Sequence, residues 1–182
     1  MNQRRDARSN YQALLTAAEA VFAEGSVNAP LQLVAERAGV GRGTLYRHFP
    51  HRQALAAAIY RERLTGLETL VANEGNDPHV ALTLLTAVAE QQNRIPGLFN
   101  LIFNTDSDSG ELEPLWRRSI ILFGKPLKIS QQAGVLRNDL TVDDLLMVVG
   151  MVYGVLNSPA GMNNPDAAQK ALDIALLGLR PR

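Results

Sequence analysis

The chain has 182 residues, and at about 150 residues per domain it holds one compact body or a small module joined to another. Apolar residues at 46% and charged residues at 20% exclude a disordered chain, and zero cysteines exclude disulfides, thiolate metal sites, cysteine nucleophiles and thiol switches. The zero net charge is uneven: nine arginines face five acids up to Arg63, and nine bases face thirteen acids beyond it, as for a small nucleic-acid module on a different kind of body.

Apolar residues recur at spacings of three and four nearly throughout, which predicts an all-α protein without strands. The first helix is expected from about Ser9, a candidate N-cap, to Ala23, with Leu14, Leu15, Ala18, Val21 and Phe22 on one stripe and a stop at Gly25. Ahead of it, Arg4, Arg5 and Arg8 read as a terminal tail rather than a minor-groove arm. A short helix starts at Pro30 and stops at Gly39, another runs from about Arg42 to Phe49, and a longer one opens near His51 and presents Leu55, Ile59 and Leu67. The turn Asn73 to Pro78, with Asp77 as cap, leads to a helix from His79 to Asn93 that Pro96 and Gly97 end.

A weaker segment from Leu98 to Asn104 precedes a polar loop from Thr105 to Gly110. The helix expected from Pro114 to Ala133 contains Pro126, which predicts a kink or break near Phe123. Thr141 to Asp144 has the form of a capping box ahead of Leu145 to Leu156, an apolar run too short for a membrane span and read as a buried helix. The last helix, from about Asp166 to Leu179, carries Ala167, Ala171, Ile174, Ala175 and Leu177 or Gly178 near one face. No secretory signal opens the chain, and a cytoplasmic location is expected.

The most informative stretch runs from Val34 to Phe49: a short helix, a tight turn at Gly39, then another short helix, which is helix-turn-helix spacing. Ala35, Val40 and Leu45 would let the two helices cross closely, leaving Arg42, Thr44, Tyr46, Arg47 and His48 as donors for base edges or phosphates. Phe49 reads as core. The glycines at 39, 41 and 43 imitate a phosphate cradle, but a helix rather than a strand precedes them and no Gly-Lys-Ser/Thr follows.

Val34-Ala35, then Ala38-Gly39-Val40, then Gly43-Thr44-Leu45-Tyr46-Arg47-His48-Phe49 resembles the TetR family of bacterial transcriptional regulators, a resemblance that is dense over residues 9 to 60. It implies a DNA-binding head, residues 1–55, and a helical effector-binding and dimerisation body, residues 56–182. The fourth helix joins them as the expected lever. By that resemblance Arg42, Thr44 and Arg47 face the major groove, Tyr46, His48 and Arg52 contact phosphates, Gln32 adds a contact, and Gly43 belongs to the same DNA-binding set. Gly41 stands where the family often has a capping Ser, and Pro30 where it often has Thr, so a hydroxyl contact to phosphate is lost.

The body offers no catalytic set, no metal cluster and no call for a cofactor, since His79 is its only histidine and paired Asp143 and Asp144 suit a helix start. Phe99, Phe103, Trp116, Ile120, Phe123, Met147, Met151 and Tyr153 are first of all core candidates, among which the resemblance implies an effector pocket. Gly150 and Gly154, four apart, would let another helix approach closely, either within the chain or, as the resemblance implies, across a homodimer interface to which Ala167, Ala171, Ile174 and Ala175 of the last helix would belong. The expected function is a homodimeric repressor that binds a pseudo-palindromic DNA operator and is released by a small molecule. The alternative is a helical protein-interaction or adaptor module without specific DNA binding.

Overall fold

In a computed structural model, residues 2–103, 112–162 and 164–181 are described, and among them every regular element is helical. The order is α1 (Asn2–Glu24), α2 (Leu31–Arg37), α3 (Arg42–His48), α4 (Arg52–Glu74), α5 (Val80–Arg94), α6 (Leu98–Phe103), α7 (Leu112–Gln132), α8 (Val142–Leu156), α9 (Pro159–Met162) and α10 (Ala167–Leu179). The chain divides into two compact units, one comprising Met1–Glu62 with Ile95–Asp108, the other Arg63–Arg94 with Ser109–Arg182. The division falls inside α4. The polar loop expected from Thr105 to Gly110 lies outside the described residues.

In the first unit, α1 packs on α2 and α3, and α2 on α3. The predicted stripe of α1 is its buried face, with Leu14, Leu15, Ala18, Val21 and Phe22 all enclosed. The helix begins seven residues before Ser9, however: Gln, Arg and Ala are good helix formers, so residues 2–8 extend it, and neither a cap at Ser9 nor an unstructured tail describes them. Five successive residues of α4, Leu55 to Ile59, are buried, three of them alanines that let neighbours come close on every side. Ile95, Leu98 and Ile102 are also buried, and a Cβ on Gly97, which sits at φ +84°, would lie 3.3 Å from Val27 Cγ2.

In the second unit, α5 packs on α7, α8 and α10, α8 also touches α7 and α9, and α10 packs on α8 and α9. Pro126 does not break α7, which runs unbroken from Leu112 to Gln132. Ser130, fully buried on that helix, accepts a hydrogen bond of 3.4 Å from the Ala81 N–H in the first turn of α5. Arg118 grips Glu68 with two bonds, Nε to Oε1 at 3.0 Å and Nη2 to Oε2 at 2.7 Å. After Gly134 (φ +70°), Gln131 Nε2 donates to the carbonyls of Arg137 (3.1 Å) and Leu140 (2.9 Å), fixing the entry to α8.

That entry is the predicted capping box: Asp144 N–H donates to Thr141 Oγ1 at 3.3 Å, and Thr141 N–H donates to Asp144 Oδ2 at 2.7 Å. The Thr141 hydroxyl bond, then the Thr141 backbone bond, holds the Asp144 carboxyl below its ordinary pKa. The expectation that α8 is buried all round is corrected. Leu145, Val148, Val152 and Leu156 face inward, whereas Met147 and Met151 are 59% and 54% exposed, beside exposed Gly150 and Gly154. On α10 the buried face is Ala167, Ala168, Leu172 and Leu179, while Ile174 and Leu177 are 73% and 67% exposed. Apolar content alone did not separate these faces, because both sides of α8 and much of α10 are apolar.

Candidate nucleic-acid interface

The turn between α2 and α3 is built by backbone. Ala38 N–H bonds to Val34 O (3.0 Å), Gly39 N–H to Glu36 O (3.1 Å) and Val40 N–H to Ala35 O (3.0 Å), a C-cap that closes because Gly39 adopts φ +67°. Gly41 then serves as N-cap without a side-chain bond, its carbonyl accepting from Thr44 N–H at 2.9 Å. Val34, Ala35 and Leu45 are buried between the helices, and Phe49 closes the end of α3 from inside. These apolar anchors fix which side of α3 turns outward.

Arg42, Gly43, Tyr46 and Arg47 form that outward strip, at i, i+1, i+4 and i+5, and all four are exposed, Tyr46 by 51%. Thr44 lies half-buried beside them. A Cβ on Gly43 would meet nothing within 4 Å, so the chain's own packing does not require glycine there, although it costs about 1 kcal/mol of helix propensity against alanine. A small residue at the middle of an exposed cationic strip leaves room for another surface to come close.

His48, Arg52, Gln32 and Arg42, all singled out in the sequence, have partners within the protein. His48 is half-buried, its ring set edge-on to Tyr11 of α1 at 6.0 Å and 6.3 Å from the Phe49 ring, and its Nε2 is buried without a hydrogen-bond partner. Arg52 Nη1 donates to the carbonyls of Val27 (2.5 Å) and Ala29 (2.6 Å), and the guanidinium lies 6.0 Å from the centre of the Phe22 ring. It ties the α1–α2 loop to α4. Gln32 on α2 accepts from Arg42 Nη2 and donates through Nε2 to Glu36 Oε1 at 2.7 Å.

Sequence reasoning missed Glu36, Tyr11, Glu24 and His51. Glu36 follows Gln32 by four residues, a helical spacing that signals the pair. Glu24 Oε2 accepts from Arg37 Nη1 at 2.7 Å and joins α1 to α2, and His51 Nδ1 accepts the Ala54 N–H at 3.1 Å at the start of α4.

The candidate pocket residues are dispersed. Phe99 is half-buried in the first unit, the side chain of Phe103 lies outside the described residues, and in the second unit Phe123 is buried, Ile120 half-buried and Trp116 partly exposed. Met147 and Met151 share the outward stripe of α8 with Gly150 and Gly154. Of the candidate interface residues on α10, Ala167 is buried in its own unit, Ala171 half-buried and Ile174 exposed. Among the described residues no group of three or more His, Cys, Asp and Glu could hold a metal ion, and no helix is long and apolar enough to cross a membrane.

The family profile described as bacterial regulatory proteins, tetR family, matches residues 14–59. No curated protein sequence matches the chain. A TetR transcription regulatory protein from Mycobacterium vanbaalenii is similar in structure at a TM-score of 0.70 and 25% identity, over 98% of this chain and 99% of that one. A TetR transcriptional regulator from Streptomyces coelicolor gives 0.70 and 25% over 94% and 98%. The Thermus thermophilus TetR-family repressor FadR, in complex with lauroyl-CoA, shares the fold at 0.59 and 21% over 94% and 96%. Residues 14–59 thus match the amino-terminal domain of the tetR family, and the chain shares its fold along nearly its whole length with TetR regulators.

Proposed function

We propose that this protein is a transcriptional repressor that binds a pseudo-palindromic DNA operator as a homodimer and leaves it when a small molecule binds the body. The observation that carries the reading is the strip of Arg42, Gly43, Tyr46 and Arg47 on α3, cationic, exposed and backed by the buried Leu45 and Phe49. Arginine forks and a tyrosine hydroxyl are donors suited to base edges and phosphates. The outward stripe of Met147, Gly150, Met151 and Gly154, with Ile174 and Leu177 on α10, supports a helical dimer contact, since so much exposed apolar surface is unusual on a monomer. A dimer sets two recognition helices about 34–36 Å apart, one turn of the duplex.

An effector releases DNA only if it binds the form that does not hold the operator more tightly than the form that does. The Thermus thermophilus protein, found with lauroyl-CoA, supports a small-molecule effector in a chain of this fold. The test is capture of fragmented genomic DNA by the purified protein at two salt concentrations, with the Arg42→Ala, Tyr46→Ala double variant as control. One or a few fragments carrying an inverted repeat, lost in the control, are expected. Recovery without sequence preference, or none at either salt, would overturn the operator reading and favour a protein-interaction role for the head.

A further inference from the structure

The amino-terminal unit holds a hydrogen-bonded chain that runs across both helices of the helix-turn-helix: Arg42 Nη2 to Gln32 Oε1, and Gln32 Nε2 to Glu36 Oε1. Its order follows from chemistry. A carboxylate only accepts, so Glu36 draws the amide nitrogen of Gln32 to itself, and the amide oxygen turns the other way, toward α3. There it meets the guanidinium of Arg42, which only donates. A Gln32 amide rotated by half a turn would set nitrogen against nitrogen at Arg42 and oxygen against oxygen at Glu36, so the carboxylate selects one orientation of the chain.

We infer that Glu36 is a positioning residue for base readout: through Gln32 it holds the Arg42 fork in the orientation that reads a guanine in each operator half-site. The inference rests on the DNA-binding reading above. Arg42 is exposed at the outward start of α3, and whichever Nη2 hydrogen Gln32 takes, one pair of parallel N–H groups stays free on the guanidinium. That pair matches the two acceptors, O6 and N7, on the major-groove edge of guanine, and an adenine presents an acceptor and a donor instead. An arginine free to rotate reaches phosphates as readily as bases; one held by its neighbour does not. A carboxylate beside a DNA-binding surface weakens phosphate binding for every sequence alike, so its presence is better accounted for by selectivity than by affinity.

The test enriches a randomised double-stranded DNA pool with full-length wild-type protein, Glu36→Gln and Arg42→Ala, and compares base preferences position by position, with salt dependence measured on the wild-type consensus. Glutamine is close in shape but donates as well as accepts, so it no longer selects the Gln32 orientation. Expected is a wild-type consensus with one guanine per half-site whose preference Arg42→Ala loses by at least 10-fold. Glu36→Gln weakens preference for that same guanine by about 5-fold, leaves other positions unchanged and does not lower total affinity. A Glu36→Gln consensus identical to wild type, with uniformly tighter binding, would show a plain charge effect and overturn the inference while leaving DNA binding intact. A consensus unmoved by Arg42→Ala would do the same. Failure of the wild type to enrich any sequence would overturn the operator reading and this inference together.

Discussion

Replacing Arg52 separates two roles that one cation could have. Its Nη1 donates to both Val27 O and Ala29 O and is partly buried, so Arg52→Met leaves two loop carbonyls without their donor and loosens the α1–α2 connection. Hydrogen bonds from a charged donor contribute about 1.5–3 kcal/mol, and the two here share one nitrogen, which sets the loss at about 3 kcal/mol rather than twice that. The Phe22 ring, 6.0 Å away, lies at the outer limit of a cation–π contact and adds little. At roughly 2–4 °C per kcal/mol for a chain of this length, Arg52→Met should melt on the order of 6–12 °C lower, followed by far-UV circular dichroism on the full chain. Arg52→Lys keeps the charge and one donating nitrogen and should lose less than half as much. Unchanged melting in Arg52→Met, with a DNA-binding salt slope shallower by about one, would refute the clamp and make Arg52 a phosphate ligand.

Gly161 has no room for a methyl group, since a Cβ there would stand 2.0 Å from Val155 O and 2.7 Å from Val155 C; Gly161→Ala should force α9 from the end of α8 and cost at least about 1–3 kcal/mol in urea unfolding. Thr141→Ala removes the capping box and should cost about 1 kcal/mol at neutral pH by the same measurement. Because the Asp144 carboxyl is held below its unfolded value, its contribution is present above the ordinary carboxylate range and lost as pH falls through the folded value, so the gap between wild type and Thr141→Ala should narrow below about pH 4. A gap constant from pH 7 to pH 3 would show that Asp144 takes no part. Met147→Glu with Ile174→Glu would set unpaired carboxylates in the proposed dimer contact and should shift sedimentation to the monomer, with association at least about 100-fold weaker; an unchanged dimer would locate the contact elsewhere.

The head was the most legible part of the chain, for a physical reason. Two short helices around a glycine turn leave few ways to bury Val34, Ala35, Leu45 and Phe49, and the outward residues follow by elimination. The start of α1 was not legible, because Ser9 has the chemistry of a cap but the residues before it are helix formers too. Nor were the faces of α8 and α10, where periodicity disappears once both faces are apolar and only packing on the neighbouring helices decides which turns inward. Gln32 was legible as a polar residue near the recognition helix. Its bond to Arg42 depends on how α2 and α3 cross, which spacing does not specify.

The first unit is not a continuous stretch of chain. Ile95, Leu98 and Ile102 are buried, and Gly97 comes up against Val27 in the loop that Arg52 ties down, although some thirty residues assigned to the other unit intervene. A fragment cut after Glu62 would lose these apolar side chains and expose the surface they cover. Exchange of heads between relatives is therefore a two-piece transplant: the amino-terminal helices travel with a mid-chain segment, or arrive with a hole where it belongs. Substitutions near Val27 and near Gly97 should accumulate as matched pairs, the trace of two distant stretches inherited as one part.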